Sequence, residues 1–181
     1  MNIKRNLLTA LLSLSLLCTA VVPAFAAEAE SDALLTRAEL VTQLHEAAGE
    51  PVVNYAMNYS DVSADADCAE AVRWASSEKL VTGFEDGTFR PDSTLTREQL
   101  AVILYRCARE NNQGFTGAWA FRLPYSDASQ IHDYAYEAVC WMTMYEIMGA
   151  AEGDTFAPDA AVSASEAEGI LAQFTATLKQ A

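Results

Sequence analysis

From residue 69 onward the apolar positions of this chain fall three and four residues apart, in blocks broken by short stretches rich in glycine, proline and aspartate. Ala71, Val72, Ala75 and Leu80, with Trp74 beside them, form one block; Ala138, Val139, Met142 and Ile147, with Trp141, form another. That spacing is the period of a helix with one buried face. Helix starts are marked as well. Thr96 precedes the apolar run Leu100, Val102, Ile103 and Leu104 and is followed three residues later by Gln99, a capping box, and Thr36 with Glu39 and Ser163 with Glu166 repeat the arrangement. Gly83, Gly87 and Pro91 in one connection, and Gly149, Gly153 and Pro158 in another, prevent helix continuation and predict tight turns. The pattern predicts an all-α chain of helix, loop, helix units.

The units are copies of one another. "YSDV" at 59–62 returns as "YSDA" at 125–128, "AVRW" at 71–74 as "AVCW" at 138–141, and "GTFRPD" at 87–92 as "DTFAPD" at 154–159. From residue 71 the two copies align without a gap at an offset of 67. A partial copy precedes them: "LTRAEL" at 35–40 matches "LTREQL" at 95–100 at an offset of 60, and its helix is predicted to stop at Gly49. The division is a truncated first repeat over 34–50, a full repeat over 59–110 and a degenerate repeat over 125–178. The loop 111–124 carries Phe115, Trp119 and Phe121, which are costly to leave wet. It is predicted to fold back on the incomplete first copy, over surface that the missing helix would have covered.

Residues 1–26 read differently. Lys4 and Arg5, an apolar run from Leu7 to Val22, and Ala24-Phe25-Ala26 as a small-x-small site predict a cleaved secretory signal peptide, leaving 27–181 as the exported domain. No later stretch is long and uncharged enough for a bilayer span, so no membrane insertion is expected after cleavage. The chain has 25 acidic and 11 basic residues, a formal charge of -14, and loss of Lys4 and Arg5 makes it more negative. Such a field argues against nucleic acid and anionic lipid as partners, and any anionic ligand must be held by a local device. Cys68, Cys107 and Cys140 allow one bridge at most, match no zinc spacing, and read as small buried hydrophobes. His45 and His132 are isolated and read as exposed or locally bonded. The loop at 82–93 is no EF-hand, since only Asp86 among its calcium-ligand positions is a carboxylate. No nucleophile elbow or paired-carboxylate pattern appears, so neither an enzyme nor a cofactor nor a metal is expected.

"YSDV", "AVRWASSEKLVTGFEDGTFRPD" and "LTREQLAVILYR", with "LTRAEL" before them, resemble the S-layer homology (SLH) family. The resemblance implies an all-helical, pseudo-threefold bundle of three modules that attaches exported proteins to the surface of Gram-positive-type bacteria. It further implies grooves between modules that bind secondary cell-wall polysaccharide, often bearing pyruvate ketals. The family's signature arginine maps onto Arg37 and Arg97.

Those arginines also pose a physical question. Each is predicted to be the first residue of its helix, where the macrodipole disfavours a cation, so helix stability does not explain them. Unpaired N–H groups at the helix start plus a guanidinium would make a two-pronged receptor for a carboxylate. The third copy keeps Ser163 and Glu166 but has Ala164 in place of the arginine, which reads as a helix start retained without the means to hold an anion. The alternative is that Arg37 and Arg97 are solvated surface charges. Around the two arginines, Thr36, Glu39, Thr96 and Gln99 are the supporting caps, Asp86 and Gly87 shape the turn or touch sugar, and Phe89 and Phe156 plug the core. Trp74 is either core or a sugar-stacking ring bordering a groove. The expected function is noncovalent attachment to an anionic wall glycan. The rival is an exported interaction protein that uses a degenerate SLH scaffold for protein contacts, its missing half-repeat leaving an apolar face for a partner or a second copy.

Overall fold

A computed structural model describes residues 32–117 and 119–180, so the segment read as a signal peptide lies outside the described residues. Among the described residues there are five α-helices, α1 (Arg37–Ala47), α2 (Ala69–Ser77), α3 (Arg97–Glu110), α4 (Asp133–Met144) and α5 (Ala164–Gln180), with a 3-10 turn at Ala128–Gln130 ahead of α4. Among the described residues extended pairing is limited to isolated bridges, in agreement with the all-helical expectation. No described helix is long and apolar enough to cross a membrane.

α1 and α3 begin where the capping boxes place them. Glu39 N–H donates to Thr36 Oγ1 at 3.2 Å and Thr36 N–H to the Glu39 carboxylate at 2.8 Å. Gln99 and Thr96 make the same reciprocal pair at 3.4 and 3.3 Å. α1 packs on α2 and α3 on α4. Trp74, Trp141, Phe89 and Phe156 are all fully buried, so the phenylalanines are the core plugs expected. Cys107 and Cys140 are buried, Cys68 is half-buried, and all three are free thiols. Burial pushes the Cys107 thiol up to about 12.

The repeat extends to backbone conformation. Lys79 and Glu146, after α2 and α4, both take positive φ (59° and 55°), as do Arg90 and Ala157 in the following loops (59° and 55°). Non-glycine residues in the left-handed region each cost about 1–2 kcal/mol, so something must hold these turns. An aspartate does. Asp61 accepts from Phe89 N–H and Arg90 N–H, both at 2.7 Å, and Asp127 accepts from Phe156 N–H at 2.8 Å and Ala157 N–H at 2.7 Å. The "YSD" motif is therefore a clamp on the loop of its own repeat. Its tyrosine packs on the plug, with ring centroids 5.5 Å apart for Tyr59 and Phe89 and 5.3 Å for Tyr125 and Phe156.

The residues just before α1, α3 and α5 form a closed cycle. Leu35 N–H donates to Val162 O at 2.9 Å, Val162 N–H to Leu95 O at 3.0 Å, and Leu95 N–H to Leu35 O at 2.9 Å. All three side chains are buried, so each helix start is tied to both others through one shared apolar knot.

The aromatic loop lies elsewhere than expected. Phe115 stacks on Trp119 at 4.3 Å and lies 6.2 Å from Tyr105 of α3. Gln113 accepts from Trp141 Nε1 on α4 at 2.9 Å and donates to Leu178 O on α5 at 3.0 Å. These contacts cover the α3–α4 pair and the end of α5, not α1. The loop is held there by polar ties to both helices, since Trp141 Nε1 donates to Gln113 O and Phe115 N–H donates to the Tyr105 hydroxyl at 3.2 Å. The exposed side of α5 carries Glu168, Gly169, Ala172 and Gln173, so the apolar face that the missing half-repeat was expected to leave is not found on this helix.

Candidate functional site

The arginines expected to be free at the helix starts have structural work. Arg37 Nε donates to Phe89 O at 2.8 Å and its Nη2 to Thr82 O at 3.1 Å. Arg97 Nε donates to Phe156 O at 2.7 Å and its Nη2 to Gly149 O at 2.7 Å. Each guanidinium thus bridges two carbonyls of the loop in the next repeat and lies over that loop's plug, 4.6 Å from the Phe89 ring centroid and 4.9 Å from that of Phe156. Arg37 and Arg97 are 8% and 4% exposed. Burial lowers both from the ordinary arginine value, yet a guanidinium stays charged at neutral pH.

The helix starts are not unpaired either. Arg37 N–H donates to Ser93 O at 3.0 Å and Ala38 N–H to Pro91 O at 2.9 Å; Arg97 N–H donates to Ala160 O at 3.0 Å and Glu98 N–H to Pro158 O at 3.1 Å. The neighbouring loop satisfies the first donors and the capping box the third, which corrects the expectation of an open N–H receptor. Any anion contact must come from the outer edge of the guanidinium.

That edge differs between the two positions. Arg37 Nη1 has no hydrogen-bond partner among the described residues. Arg97 Nη1 pairs with the Glu166 carboxylate from the first turn of α5. Near Arg37, Asp86 accepts from Thr88 N–H at 3.0 Å, Thr88 Oγ1 at 2.6 Å and Arg90 Nη2 at 2.9 Å, which shapes the turn and holds its carboxyl at about 2, mainly through the Thr88 hydroxyl. Gly87 takes φ 77° there. A shallow groove bounded by Asp61, Arg90, Pro91, Asp92 and Ser93 opens beside it. Trp74 is 1% exposed and 5.4 Å from the His45 ring, which places it in the core and leaves no face for a sugar.

The family model for the S-layer homology domain matches residues 58–101 and 124–167. The chain belongs to the S-layer homology domain family. Each SLH match holds one complete clamp, Tyr59 with Asp61 and Phe89 in the first and Tyr125 with Asp127 and Phe156 in the second. A 52-residue stretch is 40% identical to the outer membrane protein SlpA of Thermus thermophilus, covering 29% of this chain and 6% of that protein. A 46-residue stretch is 39% identical to cell surface glycoprotein 1 of Acetivibrio thermocellus, covering 25% and 2%. The matched stretches are thus a small part of these much longer relatives.

One cluster escaped the sequence reading of this SLH chain. Glu98, a buried carboxylate at the second position of α3, accepts from His132 N–H at 3.2 Å and from the Tyr134 hydroxyl, and lies 2.9 Å from His132 Nδ1. Asp159 brings a third ligand-type side chain within 4.8 Å. The hydrogen bond and charge of Glu98 raise His132 above its ordinary value, and burial, then Glu98, raises Tyr134. The chemistry is that of a tie between α3 and the start of α4. Only the neighbouring "RE" in "LTREQL" hinted at it.

Proposed function

We propose that this SLH protein is an exported, non-catalytic cell-surface protein that attaches noncovalently to an anionic, pyruvylated secondary polysaccharide of a Gram-positive-type wall. Arg37 and Arg97 are its candidate glycan-contacting side chains. The observation that carries the reading is the clamped arginine, since a guanidinium held rigidly by two carbonyls is preorganised for a carboxylate at its remaining edge. The relatives named as an outer membrane protein and a cell surface glycoprotein support a surface setting. The closed cycle of Leu35, Leu95 and Val162 supports a pseudo-threefold arrangement in which the truncated first repeat still supplies one of three helix starts. Thr36, Glu39, Thr96 and Gln99 cap helices in this scheme, Asp86 and Gly87 shape the loop beside Arg37, and Trp74 supports from the core.

The carboxylate is the testable part. Binding of the purified protein to the wall polysaccharide should fall at least tenfold when the polymer's pyruvate ketals are removed by mild acid. Equal binding to both polymers contradicts the mechanism. The rival role, protein contacts through a degenerate SLH scaffold, gains no support from α5, whose exposed side carries Glu168, Gly169, Ala172 and Gln173.

A further inference from the structure

The two arginine positions share one backbone frame and differ in the charge around it. Beside Arg37 the Phe84 ring meets two guanidiniums, 5.1 Å from that of Arg37 and 3.8 Å from that of Arg90. At the 67-residue offset Phe84 becomes Ala151 and Arg90 becomes Ala157, so the Arg97 position has neither the ring nor the second cation. The third residue of the following helix also changes. Glu166 reaches Arg97 from that place on α5, in the repeat after that of Arg97, and the same place on α3, in the repeat after that of Arg37, is held by the neutral Gln99. The last difference decides the matter: Arg90 is already paired with Asp86, whereas the outer edge of Arg37 meets no carboxylate from the place that Glu166 holds beside Arg97.

We infer that Glu166 is a built-in occupant of the Arg97 cleft, and that a carboxylate-bearing glycan is held at the Arg37 cleft alone. This rests on the glycan reading above and assigns it to one of the two arginines. In this pair Arg97 is nearly buried, with 5% side-chain exposure, while Glu166 keeps 34% of its side chain open to water. A tethered carboxylate competes at an effective concentration on the order of millimolar or above, which shuts out a sugar whose own site affinity is no better than that. An external carboxylate must also lose translational freedom that Glu166 has already given up on folding.

The test uses NMR of the arginine Nε–H groups of Arg37 and Arg97, both buried donors to carbonyls, during titration with a methyl glycoside carrying a 4,6-O-pyruvate ketal. Wild type and Glu166→Gln are compared. Gln99 performs the capping job at the same place in α3, so the substitution leaves the helix start intact. In wild type the Arg37 signal should shift with saturation and the Arg97 signal should stay still. In E166Q both should shift, and the number of bound sugars should rise from one to two. An Arg97 shift in wild type, or a silent Arg97 in E166Q while Arg37 responds, overturns the inference and leaves the glycan reading standing. If neither arginine responds in either protein but the intact polysaccharide binds, the assignment to Arg37 is wrong. If the polysaccharide also fails to bind, the glycan reading falls and takes the inference with it.

Discussion

Arg37 Nε donates to the main-chain carbonyl of Phe89 at 2.8 Å, across 52 residues of sequence, and Arg97 does the same to Phe156 across 59. The signature arginine is therefore a strut between successive repeats before it is anything else. Replacing Arg97 by alanine leaves the Phe156 and Gly149 carbonyls and Glu166 without their donor, and should cost about 2–4 kcal/mol. Arg97→Lys should recover only part of this, because one ammonium cannot reproduce the planar fork. Urea unfolding of the three proteins reads both effects, and an R97A variant as stable as wild type contradicts the strut.

The aspartate clamps make a parallel case. Asp127→Ala removes the acceptor of two N–H groups and frees a turn in which Ala157 stands at φ 55°. The expected loss is about 3 kcal/mol, with Asp61→Ala similar in sign. Burial raises the Asp61 carboxyl but the Phe89 and Arg90 N–H groups outweigh it, so its folded value lies below the ordinary one. The stability it contributes is present above the unfolded value and lost as pH falls through the folded one. Acid unfolding of Asp61→Asn should start from lower stability and lack that component.

How much of this was legible in the sequence depends on what kind of atom answers each side chain. The capping boxes, the helix starts at Arg97 and Ala164, and the Phe89 and Phe156 plugs were readable because their partners are local or their periodicity is helical. The arginines were misjudged because their acceptors are backbone carbonyls of distant loops, and a carbonyl leaves no signature in a residue alphabet. Asp61 and Asp127 were visible as a repeated motif, but their role was hidden for the same reason, since the groups they hold are N–H donors. Glu166 looked like a capping partner by spacing, but its carboxylate pairs with Arg97 and only its N–H meets the Ser163 hydroxyl. The aromatic loop was recognised as buried and assigned to the wrong neighbour, because the acceptor that Trp141 requires does not announce where it will come from.

The two tryptophans allow a comparison within one molecule. Trp141 Nε1 donates to Gln113 O, whereas Trp74 Nε1 is buried with no partner among the described residues. Both Trp→Phe changes remove similar volume, but only the change at Trp141 gives up a hydrogen bond. Trp141→Phe should therefore be the more destabilising by about 1 kcal/mol in thermal or denaturant unfolding. Equal losses contradict the assignment.

His132 supplies a pH signature. It faces Glu98 and Asp159, with Asp133 beside it, and its folded value is raised above the ordinary 6.5 by the Glu98 contact first. The ionic part of the link between α3 and α4 is thus fully present below the unfolded value and fades as pH rises through the folded one. An NMR titration should place the His132 ring above 6.5, and Glu98→Gln should bring it back. An unshifted His132 in the wild type removes the tie.

The central claim is that the chain holds an acidic wall polymer through a clamped arginine, and co-sedimentation with purified wall sacculi tests it most directly. The described domain should pellet with intact sacculi, stay in solution once the secondary polysaccharide is stripped, and lose most of its binding on Arg37→Lys, with circular dichroism confirming that the variant is folded. Pelleting that survives removal of the polymer, or a folded R37K variant that binds as wild type does, contradicts the account.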